Sequence, residues 1–512
     1  MNSRKLFSVC TFLFALIFIA APTVFAQSNI VQTKYGKIEG TQEDNINIYK
    51  GIPFAAPPVG NLRWKAPQVP AHWSGIKKCT AFSASPIQPT PIPFLCWSKE
   101  FIAPPSPLSE DCLYLNVWTD AATHKEKKPV FVWIYGGGFS SGSAACDVYD
   151  GKEYAKRGIV FVSINYRVGA IGFMAHPELT KEGNGTSGNY GLMDQVAALK
   201  WVKENITAFG GDPSKVTIAG QSAGSMAVNA LIVTPYAKGL FVRAIAESGG
   251  ILADALRPAS LSDAEKAGLG LQEKAGAKSI AELRALPADS ILKLSANSAN
   301  LRFSPIRDGS FLPVELEKAL SEGKFNHVDF MSGWVMGDGG LFGTPKSNKE
   351  EFIKTIHDRY GKNADQILTL LPHEDSIQAA KSLGQLTLLS FGVMSPYKWS
   401  KYMSKPIYVY EFSHVPVDKP GFPNYGAFHT SEVPFALHTL HLWDRPWQPL
   451  DMSVEKNMSA YWINFIKTGN PNGADVPTKW EPYSTGITLE LGDNIEGRKD
   501  LYKGILEALS SK

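Results

Sequence analysis

Ser222 and the small residues around it form the stretch of this chain with the clearest chemical potential. The sequence GQSAG at 220–224 follows the G-x-S-x-G pattern, in which an activated serine hydroxyl attacks a carbonyl carbon. Residues 215–219 before it favour a strand, and the small and apolar residues 223–234 after it favour a buried helix. Glycine relieves the crowding where a strand turns sharply into a helix. We therefore expect the Ser222 hydroxyl at the carboxyl edge of a sheet, where ligands bind in open α/β folds.

A run of three glycines could stabilise the negative charge that forms on an attacked carbonyl oxygen. Residues 136–138 directly follow the apolar run 130–135, and no side chain would keep their backbone N–H groups from a substrate oxygen. The N–H of Ala223, the residue after Ser222, could add a further donor. These positions predict an oxyanion hole next to the serine.

A serine nucleophile needs a histidine base, which follows it along the chain in folds of this type. Seven histidines qualify by position: His327, His357, His373, His414, His429, His438 and His441. His429 stands in a loop after the apolar run 407–412, where an imidazole could reach the sheet edge. His438 and His441 lie beside leucines in a helix-like run, which favours a structural role.

The base also needs a carboxylate that holds its working tautomer and stabilises the imidazolium. Asp338 lies in a G-D-G-G turn directly after the apolar segment 330–333, which suits this role. Asp308 and Asp329 are competitors, and the order of residues leaves the choice among the three open.

The elements that must position these groups appear as unbroken apolar runs, which are typical of parallel strands buried on both faces. Such runs lie at 130–135, 159–164, 216–219, 244–246 and 407–412. Apolar residues recur every three or four positions from Leu192 to Ile206 and predict a helix. Together they predict an α/β fold with a large, mostly parallel central sheet covered by helices. Residues 30–49 predict antiparallel N-terminal strands, and residues 261–300 predict helical insertions.

The composition is that of a globular protein. The 512 residues are 44% hydrophobic, enough for a large core, and we interpret 27–512 as a single catalytic domain. Residues 1–26 resemble a cleaved signal peptide, with Arg4 and Lys5 before an apolar run and Ala26 at its end. An uncleaved anchor is the alternative. We expect an exported protein, secreted or periplasmic, without a membrane span after cleavage. The mature chain has 49 basic and 48 acidic residues, which gives no indication of a nucleic-acid partner.

Several strings in fixed order resemble the type-B carboxylesterase and cholinesterase family of α/β-hydrolases. They are YKGIPFA at 49–55, LRW at 62–64, SEDCLYLNVW at 109–118, NYR at 165–167, GNYGLMDQ at 188–195, FGGDP at 209–213 and YWINF at 461–465. The resemblance covers nearly the whole mature chain. It implies an α/β-hydrolase fold and hydrolysis of carboxylic esters through an acyl-enzyme, with a small-molecule ester as partner and no metal or cofactor.

The family's motifs transfer position by position. Its catalytic residues and oxyanion donors fall on Ser222, Asp338, His429, Gly137, Gly138 and Ala223. Asp338 stands where the family usually has glutamate, so its loop must lie slightly closer to the histidine. Gln221 stands where cholinesterases have an acid, which gives no basis for a preference for choline esters. We expect a neutral ester of small to medium size, although acyl transfer and the hydrolysis of amides, thioesters or lactones would use the same residues.

The sequence also predicts a disulfide and some of the residues that line the substrate pocket. Export would leave Cys79, Cys96, Cys112 and Cys146, and an oxidising compartment favours at least one disulfide. The resemblance implies that Cys112 pairs upstream, but the usual partner position is Ser85. Cys79 is then the expected partner, with Cys96 second.

Four aromatic residues lie near family regions that line the substrate pocket, although packing in the core is an alternative role for each of them: Phe94, Trp97, Phe139 and Trp334.

Overall fold

A large mixed sheet organises the protein. The computed structural model describes residues 29–296, 301–340, 343 and 346–510. The proposed signal segment 1–26 and the last four residues of the predicted helical insertion lie outside these ranges. The sheet has eleven strands: β1 (Thr41–Glu43), β2 (Ile46–Pro53), β3 (Tyr114–Thr119), β4 (Lys128–Ile134), β5 (Val160–Ile164), β6 (Gly211–Gln221), β7 (Arg243–Glu247), β8 (Asp329–Val335), β9 (Ile407–Phe412), β10 (Ile487–Leu491) and β11 (Ile495–Lys499).

The strand order across the sheet is β1-β2-β3-β5-β4-β6-β7-β8-β9-β10-β11. Neighbours from β5 to β10 in that order run parallel, and every residue of β5 is buried. The pairs β1–β2, β2–β3, β3–β5 and β10–β11 are antiparallel. This confirms the mostly parallel sheet and the antiparallel N-terminal strands expected from the sequence. The carboxyl ends of β4, β6, β7, β8 and β9 meet at one edge.

Helices cover both faces of the sheet and connect its strands. They are α1 (Lys152–Ala155), α2 (Gly169–Phe173), α3 (Pro177–Glu182), α4 (Tyr190–Asn205), α5 (Ala223–Val233), α6 (Leu261–Lys274), α7 (Ile280–Ala285), α8 (Ala288–Ala296), α9 (Leu316–Ser321), α10 (Lys349–Tyr360), α11 (Ala364–Leu370), α12 (Ser376–Leu388), α13 (Met394–Tyr402), α14 (Val433–Leu437), α15 (Pro449–Thr468) and α16 (Lys503–Ser510). The predicted helix at 192–206 is α4, and the predicted insertion forms α6, α7 and α8. Within the described ranges, no helix combines the length and apolarity needed to cross a membrane.

The predicted disulfide between Cys79 and Cys112 is absent, because both residues, like Cys96 and Cys146, are free thiols. The Cys79 sulfur lies 3.9 Å from the carbonyl oxygen of Gly51. Cys112 lies near an ion pair between Arg167 and Asp194, and burial raises the pKa of its thiol well above the usual value. Both thiols are buried and are not bonded to each other, so the structure does not contain the predicted disulfide.

Candidate active site

Ser222 occupies the sharp turn between β6 and α5 predicted from its motif. Its backbone angles, φ 58° and ψ −122°, lie where a residue with a side chain is strained. Two backbone hydrogen bonds hold the strained residue: its N–H donates to the Glu247 carbonyl at 2.9 Å, and its carbonyl accepts from Met226 N–H at 3.0 Å. The end of β7 and the first turn of α5 therefore fix the position of Ser222.

Close backbone contacts explain why glycines surround the serine. A side chain at Gly224 would collide with the carbonyl oxygen of Ile134, and one at Gly220 would come within 2.6 Å of that atom. The register of β4 with β6 pairs Ile134 with Gly220, so the chain after β4 passes directly beside the serine turn. A Cβ atom at Gly136 would lie 2.9 Å from the Ser222 Cβ. The glycine turn and the serine turn can approach this closely only without side chains.

The glycine turn lies against the same cavity as Ser222. Gly137 and Gly138 have φ of 106° and 62°, values that favour glycine. Gly137, Gly138 and Ala223 all line the cavity together with Ser222. The structure thus brings the three predicted oxyanion donors to the predicted nucleophile.

His429 also lines this cavity, and Asp338 lies behind it. The Nδ1 atom of His429 is 2.6 Å from Oδ1 of Asp338, and Asp338 is fully buried. The second carboxylate oxygen of Asp338 accepts the N–H of Val335 at 3.0 Å. Asp338 occupies a short 3₁₀ turn after β8, and its neighbour Gly337 packs directly on the backbone of Ala427 in the histidine loop. This contact brings the acid and the histidine together.

The competing acids have other partners. Asp308 accepts the backbone N–H groups of Ser310, Phe311 and Leu312, so it caps its own turn. Asp329 pairs with Lys405 at 2.8 Å, at the opposite end of β8.

The competing histidines also have other surroundings. His414 lies between Asp451 and Asp493, with ring nitrogens 2.9 and 2.7 Å from their oxygens, but it does not line the cavity. His438 contacts Ser459 and Arg157, as its expected structural role implies.

The side-chain amide of Gln221 lies against the imidazole ring of His429. Its nitrogen is 3.3 Å from Nε2 and 3.5 Å from Nδ1, so it lies over the ring and not along the lone pair of either nitrogen. A carboxylate can only accept, so Asp338 would hold the ring proton on Nδ1 and leave Nε2 as an acceptor. This is the tautomer that can accept a serine proton. Catalytic hydrogen bonds often tighten only when substrate is bound.

Aromatic rings flank the imidazole. Phe391 and Trp97 approach His429 edge-on, with ring centroids 5.3 and 6.5 Å away. Phe391 belongs to a π-helical turn, Leu389–Val393, between α12 and α13, and such turns are common at functional sites. The Trp97 indole N–H donates to the Thr430 hydroxyl at 2.7 Å. These contacts hold the ring and cover it from solvent.

The cavity has a volume of about 890 Å³, which lies in the range of small-molecule sites. Apolar side chains dominate its wall, among them Ile92, Phe101, Met226, Ile251, Leu256 and Phe391. Phe94, Trp97 and Phe139 line it as expected from the sequence. Trp334 does not, because it is buried in β8 with its indole N–H bonded to Glu411.

Comparison with known proteins identifies the family. The sequence model of the carboxylesterase family matches residues 27–503. The para-nitrobenzyl esterase of Bacillus subtilis is 36% identical over 502 residues, with 92% of this chain and 98% of that protein covered. The chain belongs to the carboxylesterase family. The fumonisin B1 esterase of Sphingopyxis macrogoltabida is 34% identical, with coverage of 86% of this chain and 82% of that protein.

Solved structures agree with this assignment. A PNB esterase superimposes with a TM-score of 0.82 at 32% identity, over 95% of this chain and all of the other. A carboxylesterase of Geobacillus stearothermophilus gives 0.80 at 28% identity, over 94% of this chain and all of the other. The carboxylesterase thus has the α/β-hydrolase fold and is a carboxylic ester hydrolase.

Two buried glutamates behind the site are residues that the sequence did not single out. Glu247 accepts the indole N–H of Trp462 at 2.7 Å, and Glu432 accepts the Ser248 hydroxyl at 3.2 Å. Burial raises the pKa of Glu247 to about 8. Burial, and then the charges of Glu247 and Asp338, raise the pKa of Glu432 well above its usual value. The carboxylesterase therefore folds most favourably with these two acids protonated.

Replacing Glu247 by glutamine is expected to change how the stability of the carboxylesterase depends on pH. The raised pKa of the folded state means that the free energy of unfolding falls as pH rises from about 4.5 to about 8. A neutral amide still accepts the Trp462 N–H. It also removes this loss of stability, which is on the order of a few kcal/mol near pH 8. Thermal melting should give a higher Tm for the variant near pH 8 than for the wild type, with a smaller difference near pH 5. Glu496→Gln, an exposed control, should show no such trend.

Proposed function

We propose that Ser222 is the nucleophile of the esterase, that His429 is its general base and acid, and that Asp338 orients the imidazole. The observation that carries the proposal is the 2.6 Å contact between the buried Asp338 and Nδ1 of His429, behind a cavity that Ser222 also lines. This arrangement supports proton transfer from the Ser222 hydroxyl to Nε2.

In the proposed reaction, the Ser222 oxygen attacks the ester carbonyl as His429 takes its proton. The oxyanion of the tetrahedral intermediate accepts hydrogen bonds from the N–H groups of Gly137, Gly138 and Ala223. The imidazolium then protonates the leaving alcohol, and an acyl-enzyme remains on Ser222. His429 next takes a proton from water, whose oxygen attacks the acyl carbonyl, and Ser222 is released with its proton restored.

We propose neutral carboxylic esters as substrates. The large and mostly apolar cavity favours uncharged acyl and alcohol groups, and the amide of Gln221 adds no charge beside the catalytic centre. One relative is named for a para-nitrobenzyl ester, which is consistent with an uncharged aryl or benzyl group in such a cavity. The carboxylesterase should therefore act on para-nitrophenyl and para-nitrobenzyl esters of short and medium acids.

Covalent labelling tests the proposed nucleophile. A fluorophosphonate should form one bond to the Ser222 oxygen with loss of fluoride, so intact mass should rise by one phosphonyl group per chain. Peptide mapping should place the adduct on Ser222. Ser225→Ala, three residues further along α5, serves as the control and should label like the wild type. An adduct elsewhere, or no adduct on an enzyme that hydrolyses esters, would exclude Ser222 as the nucleophile.

A further inference from the structure

The direction of an oxyanion-hole N–H depends on the carbonyl of the preceding residue. A peptide unit is planar and trans, so its C=O and N–H point in opposite directions. The Gly137 carbonyl accepts the N–H groups of Ser140 and Ser141 at 3.0 and 3.1 Å, and both serine hydroxyls approach it at 3.2 Å. These bonds turn the carbonyl into the loop and thereby turn the N–H of Gly138 away from it.

Gly142 ends this loop and lies against the peptide unit between Gly136 and Gly137. Its φ is 118°, and a Cβ atom there would collide with the ring of Tyr135 and come within 2.6 Å of the Gly136 carbonyl oxygen. The Gly136 carbonyl belongs to the peptide unit that carries the N–H of Gly137. The position of Gly142 therefore limits the rotation of that unit.

The side chain of Gln88 holds Gly142 from the opposite side. Its Oε1 accepts the Gly142 N–H at 2.8 Å, and its Nε2 donates to the Gly142 carbonyl at 2.8 Å. Nε2 also donates to the Pro86 carbonyl at 3.0 Å, and the residue is only 2% exposed. Two opposed hydrogen bonds to one residue fix both its position and its orientation, as neighbouring strands do for each other.

We propose that Gln88 is a positioning residue for the oxyanion hole. By fixing Gly142, it holds the peptide units that carry the Gly137 and Gly138 N–H groups in the direction needed by the tetrahedral intermediate. Gln88 belongs to the segment that covers the cavity, so this segment supports catalysis as well as lining the pocket. This inference rests on the oxyanion hole of the proposed function.

Gln88→Met is the principal test, because methionine has a similar length and cannot form these hydrogen bonds. We expect kcat for para-nitrophenyl butyrate to fall about 10- to 100-fold, with KM changed less than about threefold. This fall in kcat is no larger than the one expected when a single oxyanion donor is removed. A trifluoromethyl ketone, which forms a tetrahedral adduct on a catalytic serine, should lose affinity by a similar factor. A role in packing alone would lower Tm without changing kcat or ketone affinity of the folded enzyme.

Gln195→Met is the matched control. Gln195 is also fully buried, but it lies in α4 and does not line the cavity. The control should keep the wild-type kcat and ketone affinity even if its Tm falls. Wild-type kcat and ketone affinity in folded Gln88→Met would overturn the proposal.

Gln88→Glu provides a second variant if the methionine variant does not fold. Its carboxylate keeps the acceptor for the Gly142 N–H, and its protonated form also regains a donor for the Gly142 carbonyl. The ratio of variant to wild-type kcat should therefore rise as pH is lowered, or stay near one where burial keeps the acid protonated, whereas a low ratio that is independent of pH would overturn the proposal. If fluorophosphonate fails to label wild-type Ser222, the proposed function fails. If it labels Ser222 and both Gln88 variants behave as wild type, only the role of Gln88 fails.

Discussion

Replacing Ser222 by alanine is expected to lower kcat for para-nitrophenyl butyrate about 10⁶-fold. The strained turn can accommodate alanine, because the hydrogen bonds that hold residue 222 come from its backbone. The variant should therefore fold, bind ester in the same cavity and lack only the attacking oxygen. Some acceleration over water should persist, since the oxyanion donors and binding contacts remain. Initial rates measured beside a thermal melt separate loss of chemistry from loss of structure.

A double variant sharpens this test. Residues that act as one unit have non-additive effects, so Ser222→Ala with His429→Ala should cost no more than the serine change alone. Ser225→Ala is the control for removing a buried hydroxyl from the same helix, because its oxygen bonds the Gly249 carbonyl and does not line the cavity. It should retain turnover. Substantial turnover by Ser222→Ala would contradict the proposed acyl-enzyme.

Asp338→Asn is expected to reduce kcat about 10⁴-fold with little change in fold. The two oxygens of Asp338 have different partners: one accepts the Val335 N–H and the other faces Nδ1 of His429. In asparagine, the single carbonyl oxygen would take the Val335 N–H, so the NH₂ group would face the imidazole. The proton would then move to Nε2, and His429 could no longer accept the proton of Ser222.

The control for this variant lies on the same strand. Asp329→Asn changes the opposite end of β8, where Asp329 pairs with Lys405 and not with a histidine. Its kcat should stay near the wild-type value. Stopped assays across a range of pH should show the Asp338→Asn defect at every pH at which the wild type is active. A defect that appears only in Asp329→Asn would reverse the assignment of the acid.

The strands near the site could be predicted from the sequence because parallel strands buried on both faces need unbroken apolar runs. The run 159–164 shows this best, since the strand that it forms, β5, is buried at every position. The serine turn was equally predictable, because its glycines reflect local crowding against Ile134. These predictions succeeded because the physical cause lies within a few residues of the observed pattern.

Contacts between distant segments could not be predicted in the same way. The bond between Gln88 and Gly142 joins residues 54 positions apart, and that between Trp97 and Thr430 joins residues 333 positions apart. A glutamine or tryptophan in an irregular segment gives no local signal of its partner. The predicted disulfide rested on the family resemblance, which indicated an upstream partner for Cys112 although the usual partner position is Ser85, and the structure shows both thiols free.

The proposed catalytic groups and the neighbouring Gln221 come from the ends of strands that are distant in the chain but adjacent in the sheet. Asp338 and His429 are 91 positions apart, and Gln221 and His429 are 208 apart. Their meeting requires β6, β7, β8 and β9 to pair in the correct register. Closing such long loops is costly in entropy, so the formation of local helices alone does not bring these groups together. A partly assembled chain with most of its helices in place would therefore be inert, and catalytic competence arises only with the final tertiary organisation.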